Sequence, residues 1–115
     1  KARNTIPRSE YSGKMLTLYH RTTPLSASRI VVNGFRNRMG KGTERYKYGE
    51  AKVFGSNRIR GQAEGYGKGI VSFKVNRKHA QLDDQFPSGE RHYAIDPKNI
   101  KKSAINLIAG VKVKR

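Results

Sequence analysis

Apolar positions along the chain fall into short runs broken by glycines and charges, a pattern of strands with little helix. Met15-Leu16-Thr17-Leu18-Tyr19-His20 combines β-propensity with partial alternation and predicts a first strand. Thr22-Thr23-Pro24 then reads as a helix start, because a threonine caps the first turn and proline fits a position whose N–H has no partner anyway. Leu25, Ser28, Arg29 and Val32 share one helical face, widened by Ile30 and Val31, and Asn33-Gly34 supplies a left-handed stop. Residues 36–50 are basic and poor in aliphatics and predict a long loop, a feature that compact domains usually keep for function. Residues 51–54 predict a short strand, Gly55-Ser56-Asn57 a turn, and residues 59–66 one or two helical turns. Residues 69–75 alternate and give the clearest strand. Residues 79–89 read as irregular, with a Pro87-Ser88-Gly89 turn. A strand at residues 92–95 ends at Asp96-Pro97, and a last one lies within residues 100–108, which Val111 and Val113 extend. One early helix and several late strands define an α+β domain over residues 15–115, with mixed or antiparallel sheets, preceded by a polar lead-in over residues 1–14.

Charge changes the picture. Lys and Arg number 25 against 8 Asp and Glu, a net charge of +17 that repels itself and calls for an anionic partner. Nucleic acid, an anionic membrane and an acidic protein all meet that need. No apolar run reaches the roughly 18 residues of a membrane span, so no membrane partner is expected. Phosphate contacts to RNA or DNA are the sharper reading, with steep salt dependence. The absence of cysteine excludes disulfides, a thiolate metal site and a cysteine nucleophile. The chain starts at Lys1 with no apolar leader, as expected of a piece released from a longer protein.

Three blocks then carry a resemblance. Leu18-Tyr19-His20-Arg21-Thr22 followed by a helix with Ala27 and Ile30 and then Gly34-Phe35 resembles the first block of the ADP-ribosyltransferase superfamily, with Arg21 where glycine is usual. Val53-Phe54-Gly55-Ser56 with Ala63, Tyr66 and Gly67 resembles the second, with Phe54 in place of the more usual tyrosine. Glu90 through Ile95 with the exit Asp96-Pro97-Lys98-Asn99-Ile100 resembles the third. Together they span about residues 16–108 and resemble the His-Tyr-Glu branch of diphtheria toxin and the poly-ADP-ribose polymerases.

That resemblance implies a split arrangement of sheets with few short helices around an NAD cleft. It implies an enzyme that moves ADP-ribose from NAD to an acceptor with release of nicotinamide, through a transition state like that of glycoside hydrolysis. NAD is a substrate and no metal is needed. His20 would anchor the adenosine ribose, and the backbone of Arg21 the nicotinamide amide, with the Arg21 side chain within reach of the pyrophosphate. Thr22 completes that block. Phe54 and Tyr66 would stack on the nicotinamide ring, and Ser56 would bond its amide or a ribose hydroxyl. Glu90 would be the catalytic acid, holding the ribose 2′-hydroxyl and stabilising the oxocarbenium charge, with Glu64, Asp83 and Asp84 as alternatives.

In the loop over residues 36–50, Arg36, Arg38, Lys41, Arg45 and Lys47 interleave with Tyr46 and Tyr48, a composition suited to phosphates and stacked bases. Structured RNA is therefore the expected acceptor. A protein side chain as acceptor, and a basic RNA-binding module without catalysis, are the alternatives. The resemblance extends to the C-terminal toxin tips of bacterial polymorphic toxins of the Rhs type. It implies a delivery protein upstream, secretion by a contact-dependent or type VI route, action in the target-cell cytoplasm during interbacterial competition, and an acidic immunity protein in the producer.

Overall fold

The structure is a computed structural model that describes residues 15–35, 44–45 and 51–111. The expected lead-in, and Arg36, Arg38, Lys41 and Lys47, lie outside the described residues, as does the side chain of Arg45.

Strand β1 (Met15–Thr22) is followed by helix α1 (Pro24–Asn33). The remaining strands are β2 (Glu44–Arg45), β3 (Ala51–Ser56), β4 (Gly69–Asn76), β5 (Gln81–Gln85), β6 (Arg91–Ile95) and β7 (Ile105–Ala109). Single 3-10 turns link them at Gln62–Tyr66, Arg77–His79, Pro97–Asn99 and Lys102–Ala104. The strand order is β5-β6-β3-β1-β4-β7, with β2 paired to β3. Every described pairing is antiparallel, so the α+β class holds while the mixed-sheet expectation does not.

The sheet is nearly divided in two. β1 and β4 pair along their full length, from Met15 opposite Asn76 to Thr22 opposite Gly69. β3 and β6 pair over Val53–Ile95 to Ser56–His92. Between these ladders β1 meets β3 at a single register pair, Tyr19 with Ser56. The seam bears on function because backbone and side-chain polar groups beside it are not consumed by a continuous ladder.

Local chemistry explains most of the elements. Thr23 caps α1, its hydroxyl accepting from Ser26 N–H at 3.2 Å, and Pro24 opens the first turn. Gly34 ends the helix at φ 82, a conformation in which side chains with a Cβ are strained. The helix buries Ser26, Ala27, Ser28 and Ile30 against β4 and β7, whereas Leu25 and Val32 remain exposed. The buried face is thus displaced from the Leu25–Val32 stripe that spacing suggested, since the serines pack where close approach to the sheet leaves little room. Ser28 Oγ shows this directly: it bonds to the backbone of Val111 beyond β7.

Other boundaries shift. The expected turn at Gly55-Ser56-Asn57 is still strand, and the chain bends only at Asn57. A Cβ on Gly55 would lie 3.0 Å from Leu18 and Phe73, so this glycine serves close packing rather than turning. The expected irregular segment at residues 79–89 contains β5, a polar edge strand. Part of the long basic loop forms β2. The last strand starts only at Ile105, and Val111 lies beyond its end. Leu16, Leu18, Val53, Val71, Phe73 and Ile95 form the centre of one core between the sheet and α1.

Candidate functional site at the seam between the two ladders

Strand alternation sorts the candidate residues onto two faces. Tyr19 pairs with Ser56 and Ser56 with His92, so these three share a face, and Arg21 and Phe54 follow them by period two. His20 turns with Leu16 and Leu18 to the face of the core. His20 and Ser56 therefore flank the seam from opposite sides.

His20 bridges the seam. Its Nδ1–H donates to the Phe54 carbonyl at 2.8 Å, since a carbonyl can only accept. That bond fixes the tautomer and leaves Nε2 with a lone pair. Nε2 is buried and has no hydrogen-bond partner among the described residues. Phe35 packs edge-on against the imidazole, with ring centres 5.1 Å apart. Burial pushes the His20 pKa below its ordinary 6.5 and outweighs the Phe54 carbonyl, which pulls the other way.

The native state therefore resists a proton that the unfolded chain accepts. His20 contributes stability above about pH 6.5, and this is lost as pH falls toward the lower native value. Melting temperature is expected to drop between pH 7.5 and 5.5, and His20→Gln should flatten that slope. An unchanged slope in the variant would assign the acid sensitivity elsewhere.

Glu90 sits just before β6 and is only 2% exposed. One carboxylate oxygen, Oε2, accepts from Ser56 Oγ at 3.1 Å and from His92 Nε2 at 2.7 Å. The Gln62 backbone N–H reaches Oε1 at 3.0 Å and Oε2 at 3.2 Å. Burial alone raises the carboxyl pKa. The Gln62 N–H, His92 and Ser56 together outweigh it and hold the group below the usual range, so it is ionised at neutral pH.

The loop that delivers Gln62 is tightly fixed. Arg58 N–H donates to Ser56 Oγ at 3.0 Å, and Arg58 Nη2 to the Ser88 carbonyl at 2.6 Å. Asn57 and Arg91 exchange bonds, backbone N–H to backbone carbonyl at 3.1 Å and backbone N–H to side-chain Oδ1 at 2.8 Å. Gly61, at φ 153, lies so close over Glu90 that a Cβ would stand 2.1 Å from Oε1. Arg21 ties down the far side of the loop, its guanidinium donating to Ile59 O at 2.7 and 3.2 Å and to Gly67 O at 3.1 Å. In this state the Arg21 side chain holds the loop, a use that the pyrophosphate expectation did not foresee.

The remaining candidates are distributed as follows. Thr22 is buried at the end of β1, with its carbonyl under Gly67. Phe54 is half-buried. Tyr66 is 65% exposed at the end of its 3-10 turn, leaving its ring free to stack. Of the alternative acids, Glu64 accepts from Gly61 N–H at 2.9 Å, and Asp83 and Asp84 are exposed on the edge strand β5. The structure thus joins Ser56 and Glu90, sets His20 across the seam, and leaves the alternative acids on the surface.

His92 belongs to this cluster and sequence reading missed it. The signal was present: Glu90 and His92 are two residues apart at a strand, a spacing that turns both side chains to one face. Among the described residues no group of His, Cys, Asp and Glu could hold a metal ion, and no helix is long and apolar enough to cross a membrane. Comparisons with protein-family models, curated proteins and solved structures return no match.

Proposed function

We propose that the chain is an NAD-cleaving glycosyl transferase of the ADP-ribosyltransferase kind, acting at the seam between the two ladders. The observation that carries this reading is an ionised, buried carboxylate on one lip of the seam and an unpartnered imidazole nitrogen on the other. An oxocarbenium-like transition state needs a fixed negative charge, and Glu90 supplies one already desolvated and hydrogen-bonded. A ribose hydroxyl can donate to His20 Nε2, which nothing else among the described residues satisfies.

Binding requires one exchange at the site. The Gly61–Gln62 backbone covers Glu90, so the ribose 2′-hydroxyl takes over the bond that Gln62 N–H makes here. Ser56 keeps the carboxylate aimed, and Tyr66 stacks on the nicotinamide ring, a contact of about 1 kcal/mol beyond burial. Arg21 preserves the loop as it moves by holding its two flanks. No metal enters the reaction as read here.

The acceptor follows from charge. With +17 spread along the chain, RNA is the partner best matched to this surface. Transfer to a protein side chain is the second reading. By the same resemblance the domain is a toxin delivered into the cytoplasm of a competing cell and neutralised in the producer by an acidic immunity protein, whose charge complements this surface.

Labelled NAD incubated with the domain and total cellular RNA tests the proposal. Label is expected on RNA, and raising salt from 50 to 200 mM should reduce transfer by at least tenfold if about six phosphates are engaged. Label on protein instead would remove the RNA acceptor and retain the enzyme. An unchanged melting temperature at saturating NAD would favour a basic RNA-binding module without catalysis, because a ligand bound to the native state raises it.

A further inference from the structure

Beyond NAD cleavage itself, the page carries an inference about the acceptor step, one that rests on the reading above. His92 makes a 2.7 Å bond through Nε2 to Glu90 Oε2. An ionised carboxylate can only accept, so Nε2 carries the hydrogen of that bond. Neutral His92 then presents a lone pair at Nδ1, which has no hydrogen-bond partner among the described residues. The ring is partly open to solvent, with 17% of the side chain exposed, and Phe86 packs edge-on against it at 5.0 Å. Glu90 is closed to solvent by the Gly61–Gln62 backbone, so of the two partners only His92 reaches outward.

We propose that Glu90 and His92 form a carboxylate–imidazole dyad in which His92 Nδ1 is the base that deprotonates the acceptor, and that the acceptor is therefore an alcohol. A carboxylate or phosphate acceptor is already a nucleophile at neutral pH; a ribose hydroxyl is not, and gains from a base positioned as its oxygen attacks. The step balances. The bond from the ribose C1′ to the nicotinamide nitrogen breaks, and its electron pair leaves with nicotinamide. The acceptor oxygen bonds to C1′, and its proton passes to Nδ1. The positive charge on the imidazole is met by Glu90 through the Nε2–H bond, so one carboxylate serves both the developing cation and the base.

The test compares the unaltered domain with His92→Gln and His92→Ala, following nicotinamide release and transfer of labelled ADP-ribose to RNA. Gln retains a donor toward Glu90 and has no basic nitrogen, so His92→Gln should keep its melting temperature and its KM for NAD. Its kcat for transfer should fall about a hundredfold, the lower end of what general base catalysis supplies. Free imidazole should restore transfer to His92→Ala and leave Glu90→Gln unchanged. Transfer by His92→Gln at the parent rate overturns the base. Loss in His92→Gln with no rescue of a folded His92→Ala also overturns it and makes His92 a positioning residue for Glu90. No nicotinamide from the unaltered domain, with or without RNA, overturns instead the reading on which the dyad rests.

Discussion

Glu90→Gln is expected to reduce nicotinamide release from NAD by a hundredfold or more while leaving the domain folded at 25 °C. Removing one preorganised electrostatic partner of a charged transition state typically costs a factor of about 10² to 10³. Here the carboxylate faces the developing cation itself, so the upper end is expected. Folding suffers less, but it does suffer. Ser56 Oγ, Gln62 N–H and His92 Nε2 all donate to this carboxylate. The amide nitrogen of Gln cannot accept, so at least one donor is left unmet, at about 1–3 kcal/mol. Activity and melting temperature measured on one preparation separate the two effects. Release at the parent rate would exclude Glu90 and move attention to Glu64, Asp83 or Asp84.

Gly67→Ala is expected to lower the melting temperature by on the order of 10 °C or more. Gly67 has φ 143, a region open almost only to glycine, and a Cβ there would stand 2.3 Å from the Thr22 carbonyl oxygen. Backbone strain alone costs about 1–3 kcal/mol. The clash adds to it, because the obstructing atom is backbone and cannot swing aside. For a domain of this size each kcal/mol moves the midpoint by roughly 4–8 °C. The same change displaces the carbonyl that Arg21 holds at 3.1 Å, so the loop covering Glu90 loses its far anchor. Differential scanning calorimetry checks the shift; a loss under 3 °C would mean that the loop approaches β1 less closely than described.

The two glycines show where sequence is legible and where it is not. Gly34 was readable as a helix stop because the preceding residues alternate at helical spacing and a C-terminal glycine has one common use. Gly55 was misread as a turn because its reason for being glycine lies in Leu18 and Phe73, residues distant in sequence. β1, α1 with its Thr23 cap, and β4 were legible from local pattern and capping chemistry. β5 was not, because Gln81, Leu82, Asp83, Asp84 and Gln85 are all exposed and carry no alternation. Its strand conformation comes from the ladder that β6 offers. At the site, Ser56 and Glu90 were named from the sequence, and they meet. Their coupling to His92 and to the Gln62 backbone is tertiary. So is the orientation of His20 toward the far side of the seam, which depends on a register that no local pattern sets.

The decisive measurement is whether the purified domain liberates nicotinamide from NAD. Release is expected, faster when RNA is present and lost in Glu90→Gln. A folded domain that leaves NAD intact in the presence of RNA, and whose melting temperature NAD does not raise, would contradict a dinucleotide-splitting site at this seam.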